Sequence, residues 1–204
     1  MNLKFQLLNH GFEIREQACP APLLQALQSE FPLDTPVDWD LLDHSASVRE
    51  QATNGEFQAL AAAILGPDCF PTHAILYNKN LTAQAWHQDT TIKVEGQGFI
   101  EAPNKEVYSD LLSLRLSLDD CGFFDGALKL CPTSHKHGPL TPNEVRAHSS
   151  RPFSSPEMRA GDILLMHPLT IHASGANETG RPRRVIHIVY AAAPLRSILR
   201  PVSA

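Results

Sequence analysis

A change of pattern at Pro71 constrains the fold of this chain more than any other feature. Before it, apolar residues recur at helical spacing, over about Pro22–Phe31 (PLLQALQSEF) and again over one longer stretch, Ser45–Leu65. After it come short β-type runs separated by turn residues: His73–Tyr77, Ala83–His87, Leu111–Leu118, Ala127–Cys131, Ile163–His167, Thr170–Ala173 and Arg183–Tyr190. Many short strands behind a helical layer predict a mainly β fold with flanking helices, a closed or double-sheet jelly roll buttressed from its N-terminal side. Asp125-Gly126 and Gly161-Asp162 mark tight reversals between strands. With 204 residues, 43% of them hydrophobic, the chain can bury a sizeable core. One domain over residues 1–204 is expected, 1–70 mostly helical support and 71–192 the jelly-roll core.

The net charge of -5 argues against a broad nucleic-acid-binding or membrane-surface protein, and no protein partner is indicated. Arg181, Arg184, Arg196 and Arg200 read as solvated surface charge, with contact to an anionic substrate as the other account. Cys19, Cys69, Cys121 and Cys131 show no CxxC spacing, so they read as small buried residues rather than a zinc knuckle or redox dithiol. The apolar run in MNLKFQLLNHGF is too short for a signal peptide, and no segment approaches the length of a membrane span. A cytoplasmic, reducing location is the default expectation.

The chemistry-bearing pattern is His87-Gln88-Asp89, the one His-x-Asp triplet among ten histidines. Residues two apart on a strand point to the same side, so His87 and Asp89 can face one metal while Gln88 turns away. A second imidazole from a distant strand would complete the two-His-one-carboxylate set that holds non-haem Fe(II) with positions left open. His167, His172 and His187 are the candidates for it. His172 is favoured because GDILLMHPLTIHASG delivers it at a strand end, with Ser174 and then Arg183 following. Arg183 can bind the carboxylate of an oxo-acid cosubstrate through a bidentate fork. His167 reads as a hydrogen-bonded, partly buried histidine or a pocket group. His187, on the same strand side as Arg183, lines the cosubstrate pocket or packs in the core. Arg115, inside the apolar LLSLRLSL, either faces the site beside the cosubstrate or lies on the sheet's outer side.

Over roughly Ala74–Tyr190 the chain resembles the phytanoyl-CoA dioxygenase family of Fe(II)/2-oxoglutarate oxygenases. The likeness lies in ILYNKN, WHQD at Trp86–Asp89, LRLSLDDCGFFDGALKLCPTSH at Leu114–His135, the Gly161-Asp162 pair, and HASGANETGRPRRVIHIVY at His172–Tyr190. Pro132-Thr133-Ser134-His135 stands where the family's usual form is Pro-Gly-Ser-His, and Asp125-Gly126 where it is a dipeptide such as Asn-Gly. The resemblance implies a cupin-like double-stranded β-helix in which His87, Asp89 and His172 bind iron. It also implies that Arg183 pairs with the distal carboxylate of 2-oxoglutarate, supported by Ser174, with Tyr77 as a further cosubstrate contact or an ordinary core tyrosine. The implied activity is hydroxylation of a small-molecule substrate, with O2 consumed and 2-oxoglutarate converted to succinate and CO2. Desaturation, epoxidation and ring closure stay open. Asp89 speaks against the similar halogenases, which carry a small residue there.

Two other readings remain at this point. One is a cupin-type metal enzyme that does not use 2-oxoglutarate, for which His135 and His137 are a natural ligand pair; the other is a non-catalytic jelly-roll binding module. Residues from about Val94 to Ser109, rich in Gly, Pro and charge, are expected to form a mobile loop covering the site.

Overall fold

The computed structural model describes residues 3–78, 83–94, 97–102 and 104–199. In chain order they form helix α1 (Leu3–His10), strand β1 (Phe12–Arg15), helices α2 (Ala21–Glu30), α3 (Leu41–His44), α4 (Ala46–Thr53) and α5 (Glu56–Leu65), and strands β2 (Phe70–Asn78), β3 (Gln84–His87), β4 (Thr91–Val94), β5 (Gly98–Glu101), β6 (Leu111–Ser117) and β7 (Leu128–Leu130). Helix α6 (Pro142–His148) and strands β8 (Ile163–Met166), β9 (His172–Ser174) and β10 (Arg184–Ala191) follow. No helix among the described residues is long and apolar enough to cross a membrane.

Local chemistry accounts for the helix ends. Pro22 lies in the first turn of α2, where its missing N–H breaks no helical bond. Ser45 caps α4 by accepting from the Val48 N–H at 3.1 Å. The expected single helix over Ser45–Leu65 is instead two. Asn54 ends α4, and Gly55, in extended backbone, restarts the chain as α5; glycine gains too little from helical hydrogen bonding to offset its backbone entropy. At α6, Thr141 and Glu144 cap one another reciprocally, with Pro142 as the first helical residue.

The strands build two antiparallel sheets and a hairpin. The large sheet runs β1-β8-β6-β10-β2, the small one β3-β9-β7, and β4 pairs with β5. Strand β6, LLSLRLS, is buried at every position and shows how the large sheet is used. Its leucines Leu112, Leu114 and Leu116 join Leu76, Ile186, Ile188 and Tyr190 in a core shared with Val48, Ala52, Phe57 and Ala61 of α4 and α5. Each such side chain contributes about 1.5–3 kcal/mol by leaving water. The alternate residues Ser113, Arg115 and Ser117 face the opposite way. A second apolar cluster, Leu128, Leu130, Leu164, Met166 and Met158, joins the two sheets at one end.

The stretch from Val94 to Ser109 departs from the expected loop. It holds most of the β4–β5 hairpin, with Val94 opposite Gly98, and the start of a 3-10 helix, Lys105–Asp110, whose Val107 and Tyr108 are buried. Residues 95, 96 and 103 lie outside the described residues. Alternating Ile92 and Val94 against Ile100 gives the hairpin a packed apolar side, the signal that a Gly/Pro count overlooks.

Candidate metal centre

His87 ends β3, Asp89 follows it, and His172 opens β9, the strand paired with β3. The structure brings one ligand atom from each of the three within 4.8 Å of one another, with His172 buried. Asp89 Oδ1 lies 3.6 Å from His87 Nε2 and 3.7 Å from His172 Nε2. Both rings are held from behind. The His87 Nδ1–H donates to the Ala85 carbonyl at 2.8 Å and the His172 Nδ1–H to the Thr170 carbonyl at 2.9 Å. A carbonyl only accepts, so each Nδ1 carries the proton and each Nε2 presents a lone pair toward Asp89. The Gln84 amide lies 3.1 Å from His87 Nε2.

Two further observations match this donor set to a divalent cation. Asp89 Oδ2 is buried without a hydrogen-bond partner among the described residues. Burial pushes the Asp89 carboxyl up, but its electrostatic interaction with the neighbouring His172, His187, His87 and Arg115 side chains outweighs it and leaves the pKa below the usual carboxylate value. His172 is pushed down to about 4 by burial, against the pull of Asp89, so its imidazole is neutral at physiological pH, the form a metal requires. Gln88, just past the end of β3, is buried and makes its hydrogen bonds elsewhere. Its amide donates to the Gly138 and Leu169 carbonyls at 3.0 and 2.7 Å and accepts from the Leu140 N–H at 2.8 Å, anchoring the strand end.

Arg115 links Arg183 on one side with Tyr77 on the other, close to the triad. Arg115 and Arg183 line one small cavity of about 30 Å³ with Ser117, Cys121, Leu128 and Val185. Ser174 is the register partner of Leu128 and is itself buried. Arg183 is 4% exposed and its Nε lacks a partner among the described residues; burial draws its pKa down, opposed by the neighbouring Cys121 thiol. Arg115 faces inward, not outward, because the other side of β6 belongs to the helix-covered core. It donates to His187 Nδ1 at 3.3 Å and lies 5.5 Å from the centre of the Tyr77 ring. Two buried guanidiniums with so few partners make this corner electrostatically prepared for an anion.

Arg184, next to Arg183, points the other way and is not the solvated charge expected from the sequence. It is 5% exposed, forks onto Asp119 at 3.0 and 2.6 Å, and donates to the Gln28 and Phe31 carbonyls at the end of α2. Arg181 is exposed but pairs with buried Asp125 at 2.9 and 2.6 Å. Arg196 donates to the Asp68 carbonyl at 2.8 Å, and Arg200 lies outside the described residues. Asp125 also accepts from the Gly122 N–H and from Thr179, so it clamps the segment leading to Arg183. Gly126 beside it has φ 80°, and a Cβ there would meet the Gly175 carbonyl oxygen at 2.6 Å. The Asp125-Gly126 pair thus holds the Arg183 approach, a role its turn signal alone did not disclose.

The remaining histidines divide cleanly. His167 Nδ1 accepts from the Leu169 N–H at 3.1 Å, and its ring lies 5.1 Å from that of His135. His135 is near the Leu8 carbonyl, whereas His137 lies against His148, with ring centroids 4.5 Å apart. The His135–His137 pair therefore diverges, and the group of His87, Asp89 and His172 is the metal-competent one among the described residues.

A family model described as Phytanoyl-CoA dioxygenase (PhyH) matches residues 29–185. The iron/alpha-ketoglutarate-dependent dioxygenase ausO of Aspergillus calidoustus is 33% identical over 76 residues, which are 36% of this chain and 26% of that protein. The similarity thus spans about a quarter of that relative. Among solved structures, the epimerase SnoN from nogalamycin biosynthesis, in complex with Fe3+, alpha ketoglutarate and nogalamycin RO, superposes with a TM-score of 0.75 at 19% identity, covering 94% of this chain and 82% of that one. AviO1 from Streptomyces viridochromogenes Tue57 gives 0.72 at 22% identity, covering 98% and 96%. HygX from Streptomyces hygroscopicus, with nickel and 2-oxoglutarate bound, gives 0.74 at 16% identity, covering 93% and 85%. These likenesses show the jelly-roll fold expected from the strand pattern. With the match over residues 29–185, they lead to one assignment: this chain belongs to the phytanoyl-CoA dioxygenase family.

Proposed function

We propose that the protein is a non-haem Fe(II)/2-oxoglutarate-dependent oxygenase that hydroxylates a small-molecule substrate. The observation that carries this reading is Arg183, a buried guanidinium with an unpartnered Nε, in a cavity shared with Arg115 close to the His87–Asp89–His172 group. A metal-binding module with no oxo-acid cosubstrate has no use for that buried cation. In this reading His87 Nε2, His172 Nε2 and Asp89 hold the iron. Arg183 forks onto the distal carboxylate of 2-oxoglutarate, Ser174 supports it, and Arg115 and Tyr77 line its path. Bound iron with 2-oxoglutarate and O2 supplies the oxidising chemistry, with succinate and CO2 as co-products. The protein's own residues fix the ligand tautomers, neutralise the cosubstrate and shelter the site beneath the β4–β5 hairpin, whose Phe99 lines the cavity beside Asp89.

The family match begins within α2 and ends within β10, which supports reading residues 1–204 as one catalytic unit in which the helices stiffen the sheet that carries Arg115 and His187 and that Arg183 leads into. A reducing, cytoplasmic setting suits the four buried thiols, which are all unpaired. The test is anaerobic reconstitution with Fe(II) followed by admission of O2 in the presence of 2-oxoglutarate. Succinate formed in proportion to iron, and abolished in Arg183→Ala, is the expected result. Tight iron binding without succinate under any substrate screened would overturn the oxygenase reading.

A further inference from the structure

In front of Asp89 lies a cavity of about 170 Å³ that shares only Tyr77 and the Asp89 edge with the proposed iron and cosubstrate contacts. Its wall is mainly apolar, with Ile75, Leu111 and Val189 inside and the half-exposed rings of Trp39 and Phe99 at its mouth. Besides His73, Tyr77, Asp89 and Thr91, two polar side chains of the β6–β10 pair interrupt this wall. Ser113 Oγ and His187 Nε2 are each buried without a hydrogen-bond partner among the described residues, in side chains of residues 1% and 5% exposed. Most buried polar atoms are satisfied, so an orphan pair lining one cavity asks for a ligand.

The chemistry of both atoms can be assigned. Arginine has no acceptor, so Arg115 must donate to His187 Nδ1, and the proton of the neutral ring then resides on Nε2. Ser113 offers a rotatable hydroxyl. Val189, two residues beyond His187, is the register partner of Ser113, and His187 that of Arg115, so the two donors are close neighbours on adjacent strands. No lysine or arginine lines this cavity, so an anion finds no counter-charge there, and its one carboxylate, Asp89, is taken by the iron in the oxygenase reading, which leaves a cation without one. In size, the space compares with the roughly 150 Å³ apolar cavity that admits a benzene ring.

We propose that this cavity binds the substrate, and that the substrate is an uncharged, compact, largely apolar molecule with one carbonyl- or ether-type oxygen. That oxygen accepts from His187 Nε2–H and Ser113 Oγ–H, while a carbon of the same molecule faces Asp89. The inference rests on the oxygenase reading for the word substrate, but the recognition it describes belongs to these residues alone.

The test uses two probes of one shape, cyclohexanone and methylenecyclohexane, which differ in having or lacking the acceptor oxygen. Both are titrated by ligand-observed NMR, with and without Fe(II) and 2-oxoglutarate under argon. Wild type is expected to bind the ketone about tenfold more tightly. Ser113→Ala and His187→Asn should each cut that preference to about threefold or less while holding methylenecyclohexane affinity within about twofold. Ser113→Ala removes a single oxygen and keeps the test sound should the histidine variant misfold. Equal affinities in wild type, no binding of either probe, or a preference that survives Ser113→Ala would overturn the proposal. Iron and 2-oxoglutarate binding, measured on the same samples by metal analysis and calorimetry, report on the oxygenase reading separately.

Discussion

His87 and His172 are register partners across the β3–β9 ladder, their ring centroids 4.1 Å apart, and each is fastened through Nδ1 to the carbonyl two residues earlier in the chain. The two imidazoles are thus aimed by the same local device on paired segments. Replacing either with alanine, or Asp89 with alanine, should weaken iron binding by more than the roughly 10–100-fold seen when an outer hydrogen-bond partner of a metal ligand is lost. Metal content after dialysis is the measurement, with His167→Ala retaining iron as the control.

Arg183→Ala should leave iron bound while raising the apparent 2-oxoglutarate constant by about two to three orders of magnitude, corresponding to the roughly 3–5 kcal/mol lost when one member of a desolvated charge pair is removed. Arg183→Lys keeps the charge without the planar fork and should recover only part of the loss. An unchanged constant in Arg183→Ala would shift the role to Arg115, the other guanidinium of that cavity.

Arg184 and Asp119 should behave as a stability pair, not a catalytic one. Their side chains are 6% and 14% exposed, and the arginine also ties down the end of α2. Asp119→Ala should destabilise the fold by about 3–5 kcal/mol, because it leaves a buried guanidinium unpaired. Denaturant midpoints check this, and replacing both residues with apolar ones should be far milder than either single change.

Thr133 has φ 67°, a left-handed backbone in which a β-branched residue is disfavoured by about 1–2 kcal/mol. Thr133→Gly relieves that strain but makes the unfolded chain looser by about 0.5–1 kcal/mol. A net gain near 0.5 kcal/mol follows from those figures, readable as a small rise in melting temperature. A loss of stability would mean that the threonine side chain contributes more than its backbone strain takes away.

Burial pushes both His73 and His167 down to about 4 from an ordinary 6.5. A base whose folded pKa is depressed takes up its proton more readily when unfolded. The folded state therefore loses stability as pH falls below about 6.5, and the loss levels off below about 4. His167→Asn, which keeps an acceptor for the Leu169 N–H but cannot be protonated, should flatten that slope, by roughly 1–3 kcal/mol between pH 7 and pH 4. Melting temperatures across that range, on metal-free protein, give the answer; an unchanged slope would assign the acid sensitivity elsewhere.

The meeting of His87 and Asp89 was legible in the sequence from their two-residue interval, although β3 ends at His87 and Asp89 lies just past it rather than on a strand. The strand runs were legible too, mostly within a residue or two of their observed ends. Other features depend on long-range packing. β1 is a four-residue edge strand defined only by its pairing with β8, and the helix break at Gly55 hides in an apolar pattern that continues through it. Arg115 could not be oriented from LLSLRLSL, since both faces of β6 are buried. His187 read as core or pocket, and its free donor atom became visible only with Arg115 in place on the neighbouring strand.

That two-sided burial of β6 separates what holds the molecule together from what it can act upon. The leucines on one side answer to the helices, and the serines and arginine on the other answer to whatever enters the cavity, so an exchange at Ser113 or Ile75 alters the occupant without touching the helix-facing core. A scaffold divided in this way can drift in chemical taste while keeping its shape.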